Sequence, residues 1–293
     1  MVCAIKGYPF VCVMSEVFSV ERRKLMRYLG ARVILTEKKH KSTGMLIKAQ
    51  ELAKKHNFFY AGQFENEANA WIHEQTTGPE IVKAFKKKNE HLDHFFMAYG
   101  TGGTMLGVSR VLRKHMPNTQ IHLCEPANSP MVHSGIPTKY PENGIPSPSF
   151  DTAHPIWSPH LFQGWATDFI PKLTSMIKAE NGYDEIEHVA GRDGIRVARE
   201  LAQTEGIMVG ISGGGILSAA LKFAESCQPG TNILAMLTDT GERYMSTDLF
   251  ADIPVDMTEE EQLLSDSTPS TAPPPPPHLH GIFPESTDEL FEM

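Results

Sequence analysis

The sequence lacks the long apolar runs that cross a membrane and the paired cysteines that hold zinc or a disulfide framework. Its longest apolar runs are too short to span a bilayer, and no charged region followed by a signal core opens it. Its four cysteines have no CxxC spacing, so we expect reduced thiols packed in the interior. These absences favour a soluble protein of the cytoplasm, with an organelle as the alternative if a targeting segment is missing.

The sequence also has no overall excess of positive charge. The formal net charge is -8, but eight of the 35 acidic residues fall in residues 257–293, which contain no lysine or arginine. The rest of the chain carries 27 acidic and 27 basic residues, so no overall basic field marks it for nucleic acid. The histidines at 154, 160, 278 and 280 lack the spacing of metal ligands, so no metal site is predicted.

Short apolar segments alternate with helical patterns along most of the chain. This alternation predicts an α/β fold in which helices cover parallel sheets. Glu80 follows Thr77 at the spacing of a capping box, which predicts a helix start there. The predicted strands are 8–14, 32–36, 58–62, 94–100, 121–126, 207–212 and 232–239.

Two stretches do not follow this alternation. Residues 131–170 are rich in Pro, Gly and Ser, and we interpret them as an ordered functional loop region. Residues 257–293 are acidic and contain a run of five prolines, which predicts disorder with polyproline II character at the run.

Two glycine-rich loops each follow a predicted strand and open a predicted helix. The first is GTGGT at 100–104, and the second is GISGGG at 210–215. Glycines at such a turn let backbone N–H groups face a phosphate at the positive end of a helix. Parallel sheets bind ligands at the carboxyl ends of their strands, so the two loops and TDTGERY at 238–244 should converge on one crevice.

The order of several motifs resembles one enzyme family. The chain is similar to the pyridoxal-phosphate-dependent cysteine synthases of fold type II from residue 1 to about 253. The stretches that carry the resemblance are SVERRKLMRYLGARVILT, HEQTTGPEI, GTGGTMLGVSR, CEPANSP, QGWATDFIP and DTGERYMSTDLFAD. The acidic tail lies outside the resemblance.

The resemblance implies a fold, a cofactor and site residues. The fold would have a small N-terminal domain, of which 1–66 is a remnant, a large cofactor-binding domain at 67–256, and the tail at 257–293. Ser212 would face the pyridine nitrogen of pyridoxal 5'-phosphate, and Gln63 would bind the substrate carboxylate. The phosphate would be held by Gly100, Thr101, Gly102, Gly103 and Thr104.

Ser212 carries an alternative interpretation. Cysteine synthases more often have Ser-Ser-Gly or Ser-Cys-Gly at this position, whereas the chain has SGGG at 212–215, which could itself be a phosphate cup as in serine and threonine dehydratases. In those enzymes the cup occupies the earlier position in the chain, which here is filled by GTGGT. We therefore prefer the contact with the ring.

One feature of the family is missing from the printed sequence. The family binds its cofactor covalently through a lysine in a stretch like Pro-x-x-Ser-x-Lys-Asp-Arg, followed by a Ser-Gly-Asn-Thr-Gly loop, and neither stretch occurs. Lys6, Lys38, Lys39 and Lys41 do not replace that lysine, because none follows a strand end in the right register. We assign no catalytic residue, and we expect the sequence to begin inside the small domain of a longer gene product.

The function implied is that of a cysteine synthase-like protein. The reaction is β-replacement of O-acetylserine by sulfide, giving cysteine and acetate, and the printed chain is expected to be inactive without the lysine. One alternative is a cystathionine β-synthase-type enzyme or another pyridoxal-phosphate β-lyase; another, from a different class, is a non-catalytic binding protein. The family implies a homodimer and an amino-acid substrate, with no nucleic acid or membrane partner.

Overall fold

A computed structural model describes residues 1–138 and 153–268. The chain divides into two compact units, Met1–Asp252 and Ile253–Met293. No helix in the described ranges is long and apolar enough to span a bilayer. All four cysteines are free thiols, and Cys124 is fully buried. The finer division at residues 66 and 256 stays a prediction.

A small two-stranded sheet lies at the start of the first unit. Strands β1 (Val11–Ser15) and β2 (Arg32–Thr36) pair in parallel, with Val13 opposite Ile34. A parallel pair needs a crossover, which here is α2 (Val20–Tyr28). Met14, Val33 and Met45 form the buried centre of this layer. The helices beside it are α1 (Val2–Lys6) and α3 (Lys41–His56), with a short 3-10 turn at Lys38–His40.

A four-stranded parallel sheet forms the main core. Its strand order is β5-β4-β3-β6, so β3 and β4 are central. Phe95, Phe96, Met97 and Ala98 in β3 are all buried, which is typical of a parallel strand covered on both faces. The strands are β3 (His94–Ala98), β4 (Gln120–Pro126), β5 (Glu185–Val189) and β6 (Ile233–Ala235).

The helices around this sheet place the segments that line the site. The chain leaves β3 through residues 99–102 and enters α6, and it leaves β6 toward residues 238–240. Both exits lie at the carboxyl edge of the sheet because β3 and β6 are parallel neighbours. The helices are α4 (Ala68–Gln75), α5 (Thr77–Lys88), α6 (Gly103–His115), α7 (Lys172–Ala179), α8 (Gly191–Glu205) and α9 (Ile211–Ala224). A 3-10 turn at Gly241–Tyr244 follows β6.

Helices α4 and α6 pack unusually closely. A side-chain carbon added to Gly107 in α6 would lie 2.3 Å from the backbone oxygen of Ala70 in α4 and 2.8 Å from Cβ of His73. Ala70 and Leu106 are fully buried at this contact. The pair therefore depends on a residue without a side chain at position 107.

Two predicted strands are wrong. Residues 58–62 run as loop, with Phe58 and Phe59 exposed, after α3 ends in a left-handed Asn57. Residues 207–210 also run as loop and lead directly into α9 at Ile211. Both segments have apolar composition typical of a strand. No described strand pairs with either one, and a strand needs a hydrogen-bonded neighbour.

The predicted capping box at Thr77 is also wrong. Helix α5 begins at Thr77 itself with Thr76 as its N-cap, and no side-chain cap bond forms. The Thr77 hydroxyl instead lies 2.8 Å from Nδ1 of His73.

The second unit contains a helix within the tail predicted to be disordered. Helix α10 (Glu259–Asp266) begins with a capping box in which Thr258 and Glu261 bond each other's backbone N–H. All its residues are exposed. The rest of the predicted tail, from residue 269, lies outside the described residues, as do residues 139–152 of the predicted loop region.

The Gly107 contact yields a stability prediction. We expect Gly107→Ala to destabilise the protein by roughly 1–3 kcal/mol, because the added methyl group forces α4 and α6 apart. Urea unfolding followed by circular dichroism measures this change. Lys114→Ala, an exposed position on the same helix, is the control and should alter stability by less than about 0.5 kcal/mol. Equal midpoints for the two variants would contradict the close contact.

Candidate cofactor-binding site

The glycine-threonine loop after β3 forms the amino end of α6. Gly102 is the N-cap and has φ 89°, a left-handed conformation that favours glycine. The first-turn N–H groups of a helix have no partner within the helix and carry partial positive charge. The loop is therefore built to face an anion.

Gly100 is needed for a close backbone approach. A side-chain carbon there would lie 2.3 Å from the backbone oxygen of Gly164, so any other residue would displace this segment. The N–H of Ala166 donates to the backbone oxygen of Tyr99 at 3.0 Å, which holds residues 164–166 alongside the loop. Gly164 in turn lies beside Ser212, since a side-chain carbon on Gly164 would be 3.9 Å from the Ser212 hydroxyl oxygen.

These segments enclose one cavity of about 220 Å³. Gly100, Thr101, Gly102 and Thr104 line it from the loop, and Ser212 lines it from the start of α9. Ser212 is 4 % exposed, so its hydroxyl is a buried polar group. The cavity thus joins the amino end of α6 to a neutral hydroxyl.

Tyr244 and Asp239 form the wall behind Ser212. The Tyr244 hydroxyl donates to Oδ2 of Asp239, and both residues line the cavity. Burial raises the pKa of Tyr244 to about 12, so the phenol keeps its proton. The other carboxylate oxygen of Asp239, Oδ1, is buried without a hydrogen-bond partner among the described residues.

The predicted site residues do not all line the cavity. Gly103 is buried at the start of α6 behind the loop, where its missing side chain makes room for Asn69. Gln63 is exposed, and the contact shown for it is through its backbone oxygen, which accepts from Nδ2 of Asn69 at 2.8 Å. Its role in binding a substrate carboxylate therefore stays a prediction.

Two residues of α4 hold the loop from behind, and the sequence analysis missed both. Nδ2 of Asn69 also donates to the Thr101 hydroxyl oxygen at 3.0 Å, and Nε2 of His73 lies 3.1 Å from the Thr104 hydroxyl. The Thr101 oxygen accepts a second bond from the N–H of Gly103 at 3.2 Å. With both acceptor sites used, the Thr101 proton is free to donate into the cavity.

A signal for these residues was present in the sequence. Asn69 and His73 are four residues apart, which places them on one face of a helix, but only if residues 68–75 are known to be helical. The stretch HEQTTGPEI was interpreted through the helix start at Thr77, which lies inside it. Its first residue, His73, was given no role. Burial lowers the pKa of His73, so a neutral imidazole lies between the hydroxyls of Thr77 and Thr104.

A family model described as pyridoxal-phosphate-dependent enzyme matches residues 1–239. The chain belongs to this family of pyridoxal-phosphate-dependent enzymes. The O-ureido-L-serine synthase of Streptomyces lavendulae is 40 % identical over 250 residues, which cover 85 % of this chain and 69 % of that protein. A cysteine synthase of Staphylococcus aureus is 38 % identical over 251 residues, covering 85 % of this chain and 72 % of that protein.

Solved structures agree with the family assignment. A crystal structure of O-ureido-L-serine synthase superimposes with a TM-score of 0.77 at 37 % identity, covering 90 % of this chain and 75 % of that one. An O-acetylserine-dependent cystathionine β-synthase of Helicobacter pylori has a TM-score of 0.71 at 29 % identity, covering 85 % and 72 %. These similarities show a cysteine synthase-like protein of fold type II, with pyridoxal phosphate as its cofactor.

The cavity has the chemistry that this cofactor requires. The α6 terminus and the Thr101 hydroxyl offer donors to a phosphate, and Ser212 offers a buried hydroxyl to a ring nitrogen. Among residues 1–138 and 153–268, no cluster of three or more His, Cys, Asp or Glu could hold a metal ion.

The contacts from α4 yield a binding prediction. We expect Asn69→Ala and His73→Ala each to weaken binding of inorganic phosphate and of pyridoxal phosphate by roughly 10-fold, because each removes a hydrogen bond that orients a loop threonine. Equilibrium dialysis measures both affinities. Gln75→Ala, exposed on the same helix, should bind like the unaltered chain. Unchanged affinity in the His73 and Asn69 variants would show that the loop keeps its conformation without these two contacts.

The His73 imidazole yields a pH prediction. Because burial lowers its pKa, the unfolded chain takes up a proton more readily than the folded one as pH falls. We expect acidification from about pH 7.5 to about pH 5.5 to lower the free energy of unfolding more for the unaltered chain than for His73→Gln. Urea midpoints at several pH values measure the difference. Parallel losses would mean that His73 titrates equally in both states.

Proposed function

We propose that this chain is a cysteine synthase-like protein whose cavity binds pyridoxal phosphate and whose inherited reaction is β-replacement. In that reaction O-acetylserine loses acetate and sulfide takes its place, giving cysteine. The observation that carries the proposal is the meeting of the GTGGT loop and Ser212 in one cavity. The similarity to a cysteine synthase along most of the chain supports the choice of reaction.

The loop and Ser212 have distinct roles in this proposal. Backbone N–H groups of α6 and the Thr101 and Thr104 hydroxyls hold the phosphate. The Ser212 hydroxyl faces the ring nitrogen, and a neutral hydroxyl leaves that nitrogen unprotonated, unlike a carboxylate. When bound, pyridoxal phosphate withdraws electrons from an attached amino acid, and an unprotonated ring does so mildly, which suits departure of a good β leaving group.

The surroundings of the cavity support water exclusion. Trp165 lines the cavity and is 6 % exposed, and it stacks on Phe162 with ring centroids 4.0 Å apart. Trp165 covers one side of the cavity, and an apolar cover keeps water from that side of a reactive group. Gln63 remains our candidate for the substrate carboxylate, supported by the resemblance alone.

We propose that this chain binds the cofactor without a covalent bond. Among the described residues that line the cavity there is no lysine. A lysine in this family both captures the cofactor and moves the substrate proton, so without one we expect no turnover. A cytoplasmic location and a homodimer are further parts of the proposal, and they rest on the resemblance.

An amine-rescue assay tests this function. The purified chain is mixed with pyridoxal phosphate, O-acetylserine and sulfide, with and without a primary amine such as ethylamine, and cysteine is measured against a mixture lacking the chain. We expect chain-dependent cysteine only when the amine is present, because the amine supplies the missing proton carrier. Borohydride reduction followed by peptide mapping should label no cavity residue.

The other outcomes separate the alternatives. Cystathionine formed from homocysteine with serine or with O-acetylserine under the same conditions would favour the cystathionine β-synthase-type enzyme, which the structural similarity to the O-acetylserine-dependent Helicobacter pylori protein supports. Reversible cofactor binding with no product in any mixture would favour a non-catalytic binding protein. A reduced adduct on a residue of the cavity would contradict the proposal that the chain lacks a reactive amine.

A further inference from the structure

Helix α2 joins the large sheet layer through polar contacts. None of its residues is fully buried, and Val20 and Leu25 are exposed. Its N-cap Ser19 is 3 % exposed, donates its hydroxyl to the backbone oxygen of Arg243, and donates its N–H to Oε1 of Gln163 at 3.3 Å. A joint made of hydrogen bonds can open without exposing a large apolar surface.

Arg22 is the centre of this joint. Its NH1 donates to Oε1 of Gln163 at 3.3 Å, and its NH2 donates to the Tyr244 hydroxyl and lies 3.5 Å from Oδ2 of Asp239. The guanidinium carbon is 4.6 Å from the centroid of the Tyr244 ring, within cation–π range. One side chain of α2 thus binds three residues from two distant parts of the sequence.

Each partner of Arg22 either neighbours a residue close to Ser212 or lines the cavity with Ser212. Gln163 immediately precedes Gly164, whose α-carbon faces the Ser212 hydroxyl. The Tyr244 ring fills the space beside Gly210, where a side-chain carbon would lie 2.4 Å from Cε2 of Tyr244. Arg22, Asp239 and Tyr244 themselves line the cavity at this end. The glycine-threonine loop makes no hydrogen bond or ion pair with Arg22 in the described contacts.

We propose that Arg22 is a positioning residue for the cofactor ring. Its contacts fix α2 at the Ser212 end of the cavity and keep Gly164 and Tyr244 close to the Ser212 hydroxyl. The phosphate end is held separately, by α4. This inference rests on the proposed function of the cavity. Loss of Arg22 should therefore weaken the contacts to the cofactor ring and keep the contacts of the loop to the phosphate.

Two probes separate the two ends of the cavity. Pyridoxine 5'-phosphate carries the ring and the phosphate but no aldehyde, so it binds without any lysine, and inorganic phosphate reports on the loop alone. Affinities are measured by calorimetry, dissociation rates by stopped flow, and the environment of the ring nitrogen by the absorption spectrum of bound pyridoxine phosphate. The variants are Arg22→Ala, Arg22→Lys and the control Arg27→Ala, which removes the same charge from an exposed position of α2.

We expect Arg22→Ala to weaken pyridoxine phosphate binding by roughly 10-fold through faster dissociation and to alter the spectrum of the bound ring. Inorganic phosphate should lose clearly less affinity than pyridoxine phosphate, because Arg22→Ala removes a charge from the cavity but no contact of the loop. Arg22→Lys should recover part of the loss, because an ammonium group keeps the charge but lacks the planar guanidinium that lies against the Tyr244 ring. Arg27→Ala should match the unaltered chain.

Several results would overturn the inference. Normal pyridoxine phosphate binding and spectrum in Arg22→Ala would refute it, and so would an equal loss of both probes in a folded variant. If Arg22→Ala does not fold, Tyr244→Phe, which keeps the ring and removes the hydroxyl, must show the same selective loss. Failure of the proposed function looks different, since the unaltered chain itself would then not bind pyridoxine phosphate.

Discussion

The close approach of α4 to α6 is the constraint on which the site depends. Gly103 and Gly107 lie on the α6 face toward α4, and their missing side chains bring Asn69 and His73 within hydrogen-bonding distance of the loop threonines. A glycine loop alone is conformationally free. Here contacts from the neighbouring helix fix the positions of the loop threonines.

The cavity is built from segments that are far apart in the sequence and differ in how firmly they are held. The loop end of the cavity depends on the packing of α4, α6 and the central strand β3, and residues 95–98 of β3 are buried. The Ser212 end depends on polar contacts with α2. Apolar packing resists separation, whereas a hydrogen-bonded joint exchanges its partners with water at little cost. Rigidity at one end and adjustability at the other suit a ligand that is anchored by its phosphate and reacts at its ring.

Sequence patterns predicted the central part of the fold well and its margins poorly. Strands β2 and β3 agree with the predicted ranges to within two residues, and α6 begins at the glycine-threonine loop as predicted, because apolar runs and glycine turns are local signals. Helices α4 and α7 and strand β5 were missed, since each is short, and β5 lies at the sheet edge with only Val189 buried. Residues 58–62 and 207–210 look like strands in isolation, but strand formation depends on a partner that composition does not reveal.

Local chemistry in the sequence was enough to identify the glycine-threonine loop, the Ser212 loop and the strand-to-helix turns that carry them. The fold class followed as well, because the alternation of apolar strands and amphipathic helices is a short-range property. Only the tertiary structure brought Asn69 and His73 behind the loop, put Gly164 between the loop and Ser212, and set Arg22 against Tyr244. Those contacts join residues separated by about 30 to more than 200 positions, and such distances are decided by packing and by the pairing of buried polar groups.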